Sequence, residues 1–109
     1  MTSINKNNEL IEVCRKMLVE DISLVYGARR VLALAKEIGG IDDAIFNVIK
    51  GVVSETDDYP ELSNRSKFSD EYLEKVDREV DDYIASVKSD VFDVSREIID
   101  KYSDSSNRP

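Results

Sequence analysis

The last third of the chain carries a run of apolar residues that constrains the fold more than any other feature. The eight steps along this run cover 29 residues, so the mean spacing is about 3.6 residues, the period of a straight α-helix. The pattern predicts one long helix from Asp70 to about Lys101, or two helices with a bend near residues 86–90. The apolar seam consists of Leu73, Val76, Val80, Ile84, Val87, Val91, Val94, Ile98 and Tyr102.

Two shorter helices are predicted in the first part of the chain. Apolar residues recur at helical spacing after Asn8, a candidate N-cap, and continue to Ile38, with a break predicted near residues 20–22. Gly39-Gly40 predicts the end of the second helix, because glycine readily adopts the left-handed conformation that closes a helix. Gly27 lies inside the helical pattern, where a glycine usually allows another element to approach closely.

A third helix is predicted to begin at Asp42 or Asp43, with its acidic residues in the first turn as the helix dipole prefers. The residues that follow are apolar on most sides, which favours a central, largely buried helix. This helix then meets a polar stretch, residues 54–65, which we call the polar insert. Tyr59-Pro60 predicts that the helix has stopped by this point, because the residue before proline disfavours the α region.

These elements predict an all-α fold, a compact bundle in which three shorter helices pack on a long C-terminal helix. A chain of 109 residues is long enough for one hydrophobic core. We therefore expect a single helical domain over residues 1–109, with residues 1–7 and 103–109 as polar, frayed ends.

The charge of the chain indicates what kind of partner it can bind. The formal net charge is -8 and the isoelectric point is about 4.5. Direct binding to nucleic acid is not expected, because phosphate contacts need clustered Lys and Arg. A strongly negative protein instead attracts basic partners. Acidity that serves only solubility is the competing interpretation.

The chain lacks the residues from which common catalytic sites are built. It contains no histidine, so neither a Cys-His nor a Ser-His pair is possible, and the His-dependent di-metal site of helical bundles is excluded. Its one cysteine, Cys14, lies among apolar neighbours and is expected to be buried and inert. We expect no enzymatic activity and no cofactor. Without a signal peptide or membrane-length segment, a cytoplasmic location is expected.

The polar insert admits a structural and a functional interpretation. As a structural clasp, it would pair Glu55 or Asp57 with Arg29 or Arg65 through charge-assisted bonds. As a binding surface, its acidic and aromatic residues would contact a basic partner, together with the acidic face of the last helix. We expect the first half of the insert to act as the clasp and the second half to be exposed. The candidate partner-binding residues are Asp57, Asp58, Tyr59, Glu61, Glu71, Glu74, Asp81 and Asp82.

Three motifs occur in a characteristic order along the chain. They are Gly27-Ala28-Arg29-Arg30, then Ser54-Glu55-Thr56-Asp57 with Pro60, then Arg65 followed by Asp77. Together they resemble a family of small helical bacterial proteins, over roughly residues 10–102. Tyr26 stands where that family usually has Glu. Such proteins are similar to the immunity proteins encoded beside polymorphic toxins, including those of contact-dependent growth inhibition.

The resemblance implies that this chain binds a cognate toxin domain and blocks its active site. An acidic inhibitor suits a basic toxin, above all a ribonuclease or other nuclease, whose cleft must be positive to hold its substrate. We expect a monomer that forms a one-to-one complex, with no direct contact to nucleic acid or membrane. The alternative is a non-enzymatic regulatory or scaffold protein, which could dimerise through the long helix.

Overall fold

The fold is all-α, as the sequence predicts. The computed structural model describes residues 2–107, with side chains described for residues 6–61 and 63–103. No strand occurs in this part of the chain. Two short 3₁₀ helices, Ala44–Phe46 and Leu62–Lys67, precede the third and fourth α-helices. The α-helices are α1 (Thr2–Leu18), α2 (Leu24–Glu37), α3 (Asn47–Glu55) and α4 (Asp70–Asn107).

Helix α4 is the element on which the other three pack. Its contacts are most extensive with α1, and α2 packs in turn against α1 and α3. The predicted seam faces the core, since Val76, Val91, Val94 and Ile98 are buried. The remaining seam residues are half-buried. The period of the seam therefore predicted which face of α4 is buried.

The core is a single cluster with an aromatic centre. Phe46 is fully buried and its ring lies 6.2 Å from that of Tyr102, centroid to centroid. Residues from all four α-helices surround it, and Leu10, Met17, Leu34 and Ile49 are among the largest fully buried side chains. One core is what a chain of this length can support.

Gly27 makes the close approach that its position predicted. A Cβ built on Gly27 would lie 2.6 Å from both Cγ and Sδ of Met17 on α1. Contacts that short do not occur between packed atoms, so a larger residue at this position would require the buried Met17 side chain to move. The glycine therefore costs helix propensity locally but permits the α1–α2 interface.

The connection between α1 and α2 falls at the predicted break. The residue that ends α1 in the left-handed conformation is not a glycine. Glu20 adopts the left-handed conformation with φ 56°. The Glu20 amide donates to the Met17 carbonyl at 3.1 Å, and the Asp21 amide donates to the Lys16 carbonyl at 2.8 Å. This is the Schellman arrangement that normally uses glycine. At the end of α2, Gly39 has φ 80° and closes the helix as predicted.

Three boundaries differ from the sequence prediction. Helix α1 begins at Thr2 rather than after Asn8, and α4 continues to Asn107 rather than ending near Lys101. Helix α3 begins at Asn47 rather than at Asp42 or Asp43, because the Asp43 side chain caps the 3₁₀ helix Ala44–Phe46 that precedes it. Apolar periodicity marks only the buried part of a helix, so the polar first and last turns of α1 and α4 carried no signal. Of the polar ends, Met1, Arg108 and Pro109 lie outside the described residues.

The shape of the molecule follows from the length of α4. The radius of gyration is 14.8 Å and the principal extents are 54 × 27 × 24 Å. A compact chain of this size would have a radius of gyration of roughly 13 Å. At about 1.5 Å per residue, a helix as long as α4 spans about 57 Å. One helix therefore sets the long axis.

Candidate functional site

Arg29 on α2 holds the turn that follows α3. Its Nη2 donates to the carbonyl oxygens of Thr56, at 2.7 Å, and Tyr59, at 2.8 Å. Its Nη1 donates to Oε1 of Glu61 at 2.9 Å. The Arg29 side chain is 17% exposed. A guanidinium suits this position because its planar fork presents several donors in fixed directions. One side chain thus fixes the turn at three points.

Two tyrosine rings lie between Arg29 and Arg65. The Tyr26 hydroxyl donates to the Pro60 carbonyl at 2.6 Å, and the Tyr26 and Tyr59 ring centroids are 5.6 Å apart. Arg29 lies 5.6 Å from the centre of the Tyr26 ring, and Arg65 lies 5.5 Å from that of Tyr59. These distances are within cation–π range. Two arginines therefore flank a pair of tyrosines.

Arg65 completes the arrangement by binding α4. Its Nη1 and Nη2 donate to Oδ1 and Oδ2 of Asp77 at 3.1 and 2.8 Å, a bidentate pair. The bonds from Arg65 lower the pKa of Asp77 and raise the pKa of Arg65. Burial, and after it the neighbouring Asp77, raises the pKa of Tyr59. We call this assembly the clasp; it consists of Tyr26, Arg29, Tyr59, Glu61, Arg65 and Asp77.

The clasp uses different carboxylates from those expected. The predicted pairing of Glu55 or Asp57 with Arg29 or Arg65 is not formed among the described contacts. Helix α3 ends at Glu55, and the chain then turns so that backbone carbonyls, rather than the Glu55 side chain, face α2. Thr56 is buried at this turn, and its hydroxyl donates to the Val52 carbonyl at 2.6 Å.

The second half of the insert forms the clasp, whereas the prediction assigned that role to the first half. Tyr59, predicted to be exposed, is half-buried with its ring against the ring of Tyr26 and the guanidinium of Arg65. No contact between Tyr26 and the insert is predicted from the sequence, although Tyr26 lies one helical turn from Arg29 and so on the same face. Glu61 was expected to face a partner, and it instead pairs with Arg29 while its side chain remains 59% exposed. The spacing of three residues between Tyr26 and Arg29 on α2 could have predicted that Tyr26 faces the insert as Arg29 does. No comparable signal exists for Glu61.

Beside the clasp lies a groove between the end of α3 and the first half of α4. Its volume is about 230 Å³, and we call it the tyrosine groove. Tyr72, at its edge, stacks on Phe68 with ring centroids 5.1 Å apart. Burial raises the pKa of Tyr83, and the nearby Glu55 raises it further. The groove is lined by Glu55, Thr56, Asp58, Tyr59, Tyr72, Lys75, Val76, Glu79, Val80 and Tyr83.

The predicted acidic residues are exposed, and they line more than one groove. Asp58 lines the tyrosine groove, whereas Asp81 lines a different groove, beside the α1–α2 connection. Glu79, which is not among the predicted residues, lines the tyrosine groove together with Asp58. Within the described chain, none of the following exposed carboxylates takes part in an ion pair: Glu55, Asp57, Asp58, Glu71, Glu74, Glu79, Asp81 and Asp82.

The described residues offer little for catalysis or metal binding. Cys14 is buried, and burial raises the pKa of its thiol to about 12. A thiol of that kind is not a nucleophile at neutral pH. No group of three or more Asp, Glu or Cys side chains in the described part of the chain is placed to hold a metal ion. None of the described helices is long and apolar enough to cross a membrane.

No family model, curated protein or solved structure matches this chain. A functional proposal therefore rests on the charge, the clasp, the tyrosine groove and the resemblance in the three motifs.

Proposed function

We propose that this chain is a cytoplasmic immunity protein that binds a basic toxin domain, a ribonuclease or other nuclease, and occludes its active site. The observation that carries the proposal is the set of exposed, unpaired carboxylates beside a loop held rigidly by the clasp. No cofactor and no nucleic acid take part. The complex contains one copy of each protein.

The distribution of ion pairs supports an acidic binding surface. On the α1–α2 side, some of the acidic residues are neutralised locally: Lys6 pairs with Glu9 and Glu37, and Arg30 pairs with Glu9. Around the insert and the first half of α4, the carboxylates other than Glu61 and Asp77 have no such partners in the described structure. The negative charge of the chain, -8 in total, is thus concentrated in this region. Such a surface attracts a positive partner and raises the association rate.

The clasp supports binding in a second way. A loop ordered before association loses less conformational freedom when it binds, which leaves more of the contact energy for affinity. Arg29, Tyr26 and the Arg65–Asp77 pair hold the insert in one conformation from two helices. Asp57 and Asp58 lie on this ordered turn and are exposed. The turn therefore presents carboxylates in a fixed geometry.

A nuclease is the class of toxin that fits best. Its cleft must carry positive charge to hold a polyanionic substrate, and carboxylates on a rigid loop can occupy the positions of substrate phosphates. The order of the three motifs, which resembles that of small immunity proteins, supports the same assignment. The charge and the resemblance are independent of each other.

Co-expression with a toxin tests the proposal. The toxin domain encoded beside this gene is induced in a bacterial host with or without this chain, and growth is followed. We expect restored growth and a one-to-one complex that survives gel filtration. A catalytically inactive toxin domain serves as the control for binding without toxicity. If the pair neither associates nor restores growth, the proposed function is wrong.

A further inference from the structure

The tyrosine groove has a chemical character that goes beyond general acidity. Three of the five tyrosines in the chain line it: Tyr59, Tyr72 and Tyr83. Tyr72 is 37% exposed and stacks on Phe68, which is 42% exposed. Aromatic side chains this exposed, placed next to each other, are typical of interaction sites.

The rings of the groove are held in place by the protein itself. Tyr59 is fixed by the clasp, where Arg65 and Tyr26 contact its ring. Tyr72 is supported by Phe68 at a ring distance of 5.1 Å and an interplanar angle of 20°. Rings positioned in advance can accept a ligand at low cost in side-chain entropy.

Carboxylates stand at both walls of the groove. Glu55 and Asp58 come from the end of α3 and the turn after it, and Glu79 comes from α4. None of the three has an ion-pair partner among the described residues, and the lining includes one ammonium group, that of Lys75. The groove is therefore negative as well as aromatic. In the groove beside the α1–α2 connection, by contrast, Glu20 is already paired with Lys88 at 2.6 Å.

We propose that the tyrosine groove binds an arginine side chain projected by the toxin domain. This inference rests on the proposed function and names the contact through which it acts. A guanidinium stacks on aromatic faces and forms bidentate bonds to carboxylates, and the groove offers both. The chain already uses this chemistry twice, with Arg29 beside Tyr26 and Glu61, and with Arg65 between Tyr59 and Asp77.

Lysine fits the groove less well than arginine. An ammonium is a compact, strongly hydrated point charge, so it gains less from stacking on rings and cannot present a planar fork to a carboxylate. The groove should therefore discriminate between the two basic side chains. This preference separates a built site from simple attraction between opposite charges.

A titration followed by NMR of ring-labelled tyrosines tests the inference on the intact chain. The probes are the blocked tripeptide Gly-Arg-Gly and its lysine counterpart. We expect the arginine peptide to shift the signals of Tyr72 and Tyr83, while Tyr102, which lies against Phe46 in the core, stays unchanged. We expect the lysine peptide to bind about two- to fivefold more weakly, the range that an exposed cation–π contact contributes.

Two variants test whether the arginine peptide binds in the tyrosine groove. Glu79→Gln removes one exposed carboxylate of the groove without changing its size, and we expect it to weaken binding of the arginine peptide at least twofold. Glu12→Gln, at an exposed and unpaired position on α1, is the matched control and should leave binding unchanged. Equal binding of the two peptides, absence of shifts, or equal loss in both variants would overturn the inference.

The toxin complex distinguishes failure of this inference from failure of the proposed function. If the toxin domain binds this chain and Glu79→Gln leaves the affinity unchanged, the groove is not the contact, although the immunity function stands. If the toxin domain does not bind at all, the immunity function is wrong, and the peptide titration alone decides the arginine site.

Discussion

Arg29 and Arg30 are adjacent in sequence and have opposite roles. Arg29 is largely covered and donates to two backbone carbonyls and to Glu61. Arg30 is exposed and pairs with Glu9 on α1. Neighbours on a helix point about 100° apart, so only one of them can face the insert. The contacts identify Arg29 as the arginine that faces it.

The pair provides a matched test of the clasp. Arg29→Lys keeps the charge but replaces two separated donor nitrogens with one, so we do not expect the bonds to Glu61 and to both carbonyls to be kept together. We expect it to lower the free energy of unfolding by about 2 kcal/mol, the size of losing a charge-assisted hydrogen bond. Arg30→Lys, at an exposed ion pair, should have little effect. Urea unfolding measures both, and equal losses would contradict the role of Arg29.

At the scale of elements, some features of the helices follow from local sequence and others do not. The seam of α4 repeats over many turns, so its helix and its buried face follow from local periodicity. The end of α2 at Gly39 has an equally local cause. The end of α1 does not, because Glu20 takes a conformation that its sequence does not signal.

The site depends on contacts that no local pattern contains. Whether Arg29 meets Glu55 or Glu61 is decided by the direction in which the chain turns after α3. The tyrosine groove joins Glu55 and Asp58 to Glu79 and Tyr83, which lie on another helix. A single sequence shows that these residues are acidic or aromatic, but only the packing of α3 on α4 brings them together.

The Arg65–Asp77 pair makes the attachment of the insert to α4 depend on pH. The pKa of Asp77 is lowered in the folded chain, chiefly by its bonds to Arg65. Its contribution to stability is therefore fully present above the ordinary pKa of an aspartate, about 4. The contribution is lost as the pH falls through the lowered value.

The pH dependence of stability can be measured by comparing Asp77→Asn with the wild type. We expect Asp77→Asn to be less stable than the wild type at neutral pH, and the difference to shrink progressively below a pH of about 4. Urea midpoints of both proteins across that range measure it. Asp100→Asn, at an exposed carboxylate without an ion pair among the described contacts, should match the wild type at neutral pH. A difference between Asp77→Asn and wild type that is independent of pH would contradict the account.

At the scale of the whole molecule, charge and shape act together. Helix α4 makes the molecule twice as long as it is wide, with extents of 54 and 27 Å. The carboxylates of the insert and of the first half of α4 lie on exposed surface rather than in a closed cavity. Such an arrangement suits an inhibitor that covers a cleft on another protein, and it does not resemble an enclosed site for a small molecule.

The measurement that tests the central claim is the association rate with the toxin domain as a function of salt concentration. Two double variants of equal net charge are compared with wild type: Asp58→Lys with Glu79→Lys, and Glu12→Lys with Asp100→Lys. Each reversal adds two positive charges, so both variants change the net charge from -8 to -4. Only the first pair lies in the tyrosine groove.

We expect the wild-type rate to fall steeply as salt is added, because screening weakens electrostatic steering. The groove variant should associate at least about tenfold more slowly at low salt, with a shallower salt dependence, since steered association exceeds unsteered association by a hundredfold or more. The control variant should stay close to wild type. A rate that does not depend on salt, or equal slowing of the two variants, would contradict an acidic binding surface at the insert and α4.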